Sequence, residues 1–142
     1  TYEKLALERA SRENVSIRTH IGYMDEIDPR TFGNKDIVFN RVCWYYCSSD
    51  NKFAEILAKL PRPGGFVFVE TNISTRRRMP FFAKLRQVLF ERTGLKIGHP
   101  YPKRGSVDSL LAKNGLIIIE ADYTRDGFDR VLAKAPERGK AR

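Results

Sequence analysis

Two short apolar runs, Ile37-Val38-Phe39 and Phe66-Val67-Phe68-Val69, constrain this chain more than anything else in it. Neither alternates with polar residues, so each reads as a strand buried on both faces, the pattern of a parallel sheet. Between them, Phe53, Ile56, Leu57 and Leu60 fall on one face of a helix that Asp50 can cap. Pro61-Arg62-Pro63-Gly64-Gly65 then forces a turn, because proline supplies no N–H and its ring clashes with a preceding helical turn. Strand, helix, tight turn and strand in that order predict parallel strands joined by a helical crossover.

The flanking segments extend this pattern. Tyr2 to Arg12 reads as an amphipathic helix. Val15, Ile17, Thr19 and Ile21 alternate with polar residues, which predicts a half-exposed strand near a sheet edge. Phe81 to Thr93 reads as a basic helix with Phe82, Leu85, Leu89 and also Val88 facing inward, and Gly94 suits its C-terminal cap. Ser106 starts a short helix that Gly115 stops. Leu116 to Ala121 reads as a strand, Asp126-Gly127 as a hairpin turn and Phe128 to Lys134 as a last, antiparallel strand. The expected fold is α/β: an open, mostly parallel sheet with helices on both faces and a C-terminal antiparallel strand.

Composition narrows the function. With 142 residues and 42% hydrophobic residues, the chain can bury a core and is not a disordered polymer. No apolar run approaches the roughly 20 residues of a membrane span, and no charged-then-apolar leader opens the sequence. Cys43 and Cys47 lie four apart, outside CxxC and zinc spacings, and only two His are present. No metal site is expected, and a reducing cytoplasm is the expected location. The charge of +9 resides entirely in the second half, where residues 71–142 hold 16 Lys/Arg against 7 Asp/Glu. Arg76-Arg77-Arg78 and the tail at 136–142 concentrate it. Such basicity suits an anionic substrate or nucleic acid, or simply a solvated surface. No aromatic-interleaved pattern of an RNA-binding module accompanies it.

Three segments, in order, resemble the class I S-adenosylmethionine-dependent methyltransferases, especially those acting on small molecules. Lys35-Asp36-Ile37-Val38-Phe39-Asn40 is similar to the family's fourth strand. Leu60-Pro61-Arg62-Pro63-Gly64-Gly65-Phe66-Val67-Phe68-Val69 resembles its Leu-Lys-Pro-Gly-Gly approach to strand five. Leu110-Leu111 and Asn114-Gly115-Leu116-Ile117 through Arg130-Val131-Leu132-Ala133-Lys134 resemble its closing helix and strand pair. The resemblance runs from Tyr2 to Ala135 and implies a Rossmann-like sheet. One departure is large: the family's glycine-rich loop after strand one has no counterpart, since neither GxGxG nor GxGxxG occurs. Residues 1–142 are therefore expected to be a single incomplete domain. It matches the C-terminal two-thirds of the family fold, with strands one and two, about 60 residues, lying outside it. The stretch alone is expected to be inactive.

The resemblance also implies where ligands would sit. Gly22, Tyr23 and Met24 correspond to the turn beside the adenine of S-adenosylmethionine, and Asn40, Arg41 and Val42 to the corner lining its methionine part. Arg41 could meet a carboxylate with its planar fork, although a surface arginine is the competing reading. Trp44, Glu70 and Tyr101 are expected to shape an acceptor pocket, with Tyr45 and His99 as catalytic candidates. Core packing competes for the aromatic run, and a turn-capping role competes for Glu70. The expected reaction is methyl transfer to a small molecule, an anionic one being accommodated by the basic half. A homodimer is compatible with this reading. The alternatives are an RNA methyltransferase of the same fold and a non-catalytic binding domain. The first is disfavoured because the chain lacks an Asn/Asp-Pro-Pro-Tyr run and a Pro-Cys pair.

Overall fold

Both apolar runs lie in one four-stranded sheet, joined by the predicted helix. A computed structural model describes residues 2–73, 80–124 and 127–137 of the chain. Helix α1 (Tyr2–Arg12) leads through a 3-10 turn at Met24–Glu26 to the short helix α2 (Pro29–Phe32) and strand β1 (Lys35–Arg41). A second 3-10 turn (Trp44–Tyr46) precedes α3 (Asp50–Lys59) and β2 (Pro61–Asn72). Then follow α4 (Phe81–Thr93), α5 (Ser106–Lys113), β3 (Ile117–Asp122) and β4 (Phe128–Lys134).

The strand order is β1-β2-β4-β3. β1 and β2 are parallel, and β4 runs antiparallel to both β2 and β3. Three strands therefore point one way and the last points back, as expected. Residues 61–65, expected to be a turn, lie inside β2 instead, as an irregularity between the Lys35–Pro61 and Ile37–Phe66 pairings, and that irregularity depends on its glycines. Gly64 adopts φ +76, and a Cβ on Gly65 would come within 2.7 Å of the Lys35 carbonyl oxygen. A larger residue at 65 would push β2 off the start of β1.

Helices α3 and α5 cover one face of the sheet. Phe53, Leu57, Val107 and Leu111 pack there against Val67, Val69, Val131 and Ala133. Each large apolar side chain so buried contributes about 1.5–3 kcal/mol. The opposite face remains open among the described residues: Ile37 is 66% exposed, Phe39 64% and Phe66 39%. Burial of the β1 and β2 apolar runs on both faces is thus corrected, because both covering helices lie on the same side.

Three further expectations change. Val15 to Ile21 forms no strand and Ile21 is exposed. Alternation makes a strand only where a neighbour offers backbone partners, and β1 pairs with β2 alone. Helix α4 leaves Phe82, Leu85 and Leu89 exposed and turns Gln87 inward instead. The cap of α3 is Ser49, whose hydroxyl accepts from the Lys52 N–H, and Asp50 lies in the first turn. Gly94 does close α4, with φ 74 and its N–H on the Phe90 carbonyl. Arg76-Arg77-Arg78, Asp126 and residues 138–142 of the basic tail lie outside the described residues. Among the described residues no helix is long and apolar enough to cross a membrane.

Candidate active site

Parallel strands end together, and the crevice beyond their carboxyl ends is where such sheets hold ligands. Asn40 and Arg41 form this end of β1, and Val42 follows it. Val42 has φ 58, a conformation that costs a β-branched residue about 1–3 kcal/mol. It is held by a 2.6 Å hydrogen bond from its N–H to the Glu70 carbonyl. The chain therefore leaves β1 directly after Arg41 through a residue in the left-handed region.

The turn at residues 22–24 meets this corner. Asn40 is 3% exposed, and its Nδ2 lies 3.7 Å from the sulfur of the half-buried Met24. Asn40 Oδ1 is buried with no hydrogen-bond partner among the described residues. Such an oxygen is an acceptor awaiting a donor. Gly22 keeps the turn tight, since a Cβ there would approach Glu26 Oε2 to 2.9 Å and His20 Nε2 to 3.0 Å. Tyr23 is 53% exposed beside it. The structure therefore joins Met24 to Asn40 across 16 residues of chain.

Asp25 anchors the turn. It has no exposed surface and accepts the Ser48 N–H at 2.9 Å, the Ser48 hydroxyl and the Ser49 N–H at 3.2 Å. Burial acts to raise its carboxyl pKa, but the Ser48 hydrogen bonds prevail and hold it below the ordinary value. The sequence carried no local sign of this, because the partners lie more than 20 residues away.

Glu70 lies between two arginines. Arg41 Nε donates to Oε1 at 2.9 Å and Arg130 Nε donates to Oε2 at 2.6 Å. These guanidiniums hold the Glu70 carboxyl below its ordinary range. Arg130 went unnoticed as a site residue because its position in β4 matters only once β4 pairs with β2.

An aromatic cluster follows β1. The ring of Tyr45 lies 4.4 Å from that of Tyr46 and 5.1 Å from that of Tyr101. His99 is exposed and lies 5.0 Å from Tyr46 and 6.4 Å from Tyr45. Tyr101 and the two catalytic candidates Tyr45 and His99 thus lie together, with Tyr46 added. Burial, then the Tyr46 hydroxyl, pushes the Tyr45 phenol up to about 12. Tyr45 therefore stays protonated near neutral pH and can donate a hydrogen bond but not act as a base. Trp44 does not join them. It is fully buried, 5.1 Å from Phe53 in the core, so the acceptor-pocket role assigned to it is corrected to packing.

Two buried polar groups hold the surroundings. Gln87 is 1% exposed and clamps Tyr101 on both backbone sides: Tyr101 N–H donates to Oε1 at 3.0 Å, and Nε2 donates to the Tyr101 carbonyl at 2.9 Å. Lys96 lies under the start of α3, donating to Asp50 Oδ1 at 2.7 Å and the Cys47 carbonyl at 3.0 Å. It ties the loop after α4 to the loop after β1.

No protein-family model matches this sequence, and no curated protein matches it. Solved structures do. An O-methyltransferase family protein from Burkholderia thailandensis superposes with a TM-score of 0.64 at 14% identity, over 95% of this chain and 41% of that one. The 4+2 cyclase SpnF superposes at 0.63 with 13% identity, over 95% of this chain and 62% of that one. Human N-acetylserotonin methyltransferase, in complex with SAM, superposes at 0.50 with 17% identity, over 82% of this chain and 33% of that one. The chain spans between a third and two thirds of the length of these structures. It has the Rossmann-like fold of class I methyltransferases. The cyclase among these structures illustrates that this fold does not by itself fix the reaction.

Proposed function

We propose that this chain belongs to a methyltransferase that moves the methyl group of S-adenosylmethionine to a small molecule. The observation that carries the proposal is the meeting of Met24 with Asn40 at the strained end of β1. The residues present fit the cofactor. Met24 offers a polarisable apolar surface for a flat base, Gly22 lets the backbone turn tightly, and Asn40 Oδ1 is a buried acceptor able to take an N–H. When bound, the cofactor supplies an electrophilic methyl carbon on a sulfonium.

What the protein must add is placement and exclusion of water. Tyr23 and Met24 cover one end of the site, and Asn40, Arg41 and Val42 border the other. Tyr45, Tyr46 and Tyr101 present an aromatic wall beside them. Tyr45 holds its proton, so it orients the acceptor through a donated hydrogen bond. His99, exposed at the rim, is the residue able to take a proton from an acceptor that carries one. Free thiols at Cys43 and Cys47 support a reducing compartment. Residues 1–142 form one domain in this reading.

Calorimetric titration of the full-length protein with S-adenosylhomocysteine tests the proposal. Binding is expected, weakened about tenfold by Asn40→Ala; no heat at millimolar ligand contradicts it. The basic second half favours one competing reading, RNA as the acceptor. A steep fall of RNA affinity with salt would support that reading over a small molecule.

A further inference from the structure

Arg86 and Gln87, neighbours on α4, reach the same loop on either side of His99. Gln87 holds the Tyr101 backbone. Arg86 Nη1 lies 3.0 Å from the point that a Cβ on Gly98 would occupy, and Gly98 has φ +72. Glycine at 98 thus leaves room for the guanidinium against the loop backbone, next to His99. The His99 ring in turn lies 5.0 Å from that of Tyr46, which is 47% exposed. Arg86 therefore stands at the rim of the aromatic wall.

This arginine is also uncommitted. Arg41 and Arg130 pair with Glu70, Arg62 with Asp36 and Arg104 with Asp129. The Arg86 guanidinium has no hydrogen bond or ion pair among the described residues. Residues 80–103 carry five Lys/Arg and one acid, Glu91, whose carboxylate accepts from the buried Gln87 Nε2 at 3.1 Å. Asp50, reaching over from α3, is engaged by Lys96 at 2.7 Å. No carboxylate is thus left to cancel the Arg86 charge at this rim. A guanidinium set by packing keeps its planar fork in place, and that fork fits two oxygens of a carboxylate or phosphate. The exposed rings of Tyr46 and His99 offer the adjoining surface for a planar body. We infer that Arg86 binds the carboxylate or phosphate of an aromatic ligand whose ring rests on Tyr46 and His99. Its assignment as the methyl acceptor rests on the methyl-transfer reading; the binding of such an anion does not.

The test is calorimetric titration of the full-length protein with benzoate, phenyl phosphate and the neutral benzamide, and separately with S-adenosylhomocysteine. At least one anion should bind about tenfold tighter than benzamide, and the tighter of the two names the head group. Arg86→Met should bring that anion down to the affinity of benzamide while S-adenosylhomocysteine affinity is preserved. Arg86 is exposed, so the variant should fold as the wild type does. Tyr46→Ala should weaken anion and amide alike, since it removes ring contact and no charge. Equal affinity for the anions and benzamide overturns the inference, as does an anion preference that survives in Arg86→Met or an absence of anion binding at millimolar concentration. Anion binding without S-adenosylhomocysteine binding would uphold the site and remove the methyl-transfer reading alone. S-adenosylhomocysteine binding with no preference for the anions would remove this site alone.

Discussion

Asp25 accepts both the backbone N–H and the hydroxyl of Ser48, with no surface left exposed. This couples the turn carrying Met24 to the start of α3, so the loop beside the proposed cofactor is fastened to the core. Asp25→Ala leaves those donors without their partner and should cost about 3 kcal/mol in urea denaturation at pH 7. The pH dependence follows from the lowered carboxyl pKa. The folded state favours the ionised form, so its contribution is complete above the ordinary value of 3.8 and is lost as pH falls below it. The stability difference between wild type and Asp25→Asn should therefore shrink from pH 7 to pH 3.

Gln87 holds the Tyr101 backbone as a neighbouring strand would. Gln87→Glu keeps an acceptor for the Tyr101 N–H but loses the donor to its carbonyl. The expected cost is about 1–3 kcal/mol. Hydrogen exchange should report it locally, with protection lost at the Tyr101 amide before any loss in β2.

Trp44 and Phe53 meet edge to face in the core, yet Trp44 Nε1 is buried without a hydrogen-bond partner among the described residues. Trp44→Ala should cost about 3–5 kcal/mol through the cavity it leaves. Trp44→Phe removes the unsatisfied N–H as well as volume and should cost much less. Thermal denaturation of the two variants decides the point; equal losses would place the cost in something other than packing.

Burial pushes the Cys47 thiol up to about 12, against the pull of Lys96. It should resist iodoacetamide at pH 8 in the folded protein and react once urea unfolds it. Because the folded state favours the protonated thiol, its stabilising effect should be lost as pH rises above the ordinary value of 9.0.

The sequence revealed the sheet where the signal was local. Ile37-Val38-Phe39, Phe66-Val67-Phe68-Val69 and the Phe53 helix face each specify their element through adjacent residues, whereas Pro63-Gly64-Gly65, read as a turn, lies inside β2. Val15 to Ile21 was misread because a strand needs a neighbour, and period two says nothing about whether one exists. Phe82 and Leu85 were misread for a related reason: periodicity identifies an apolar helix face but not what covers it. Met24, Asn40, Tyr45, His99 and Tyr101 enter the candidate site as expectations from family resemblance. Asp25, Gln87 and Arg130 were not legible, since each acts on a partner at least 14 residues away.

The central claim places an adenosyl cofactor against Met24. Residues 1–142 hold two methionines, Met24 and Met79, and in a protein labelled with ¹³C at the methionine methyls the Met24 signal is assigned by its loss in Met24→Leu. Titration of the full-length protein with S-adenosylhomocysteine should shift the Met24 signal through the ring current of the adenine, and Asn40→Ala should weaken the response. A Met24 signal that does not move at millimolar S-adenosylhomocysteine would contradict the account.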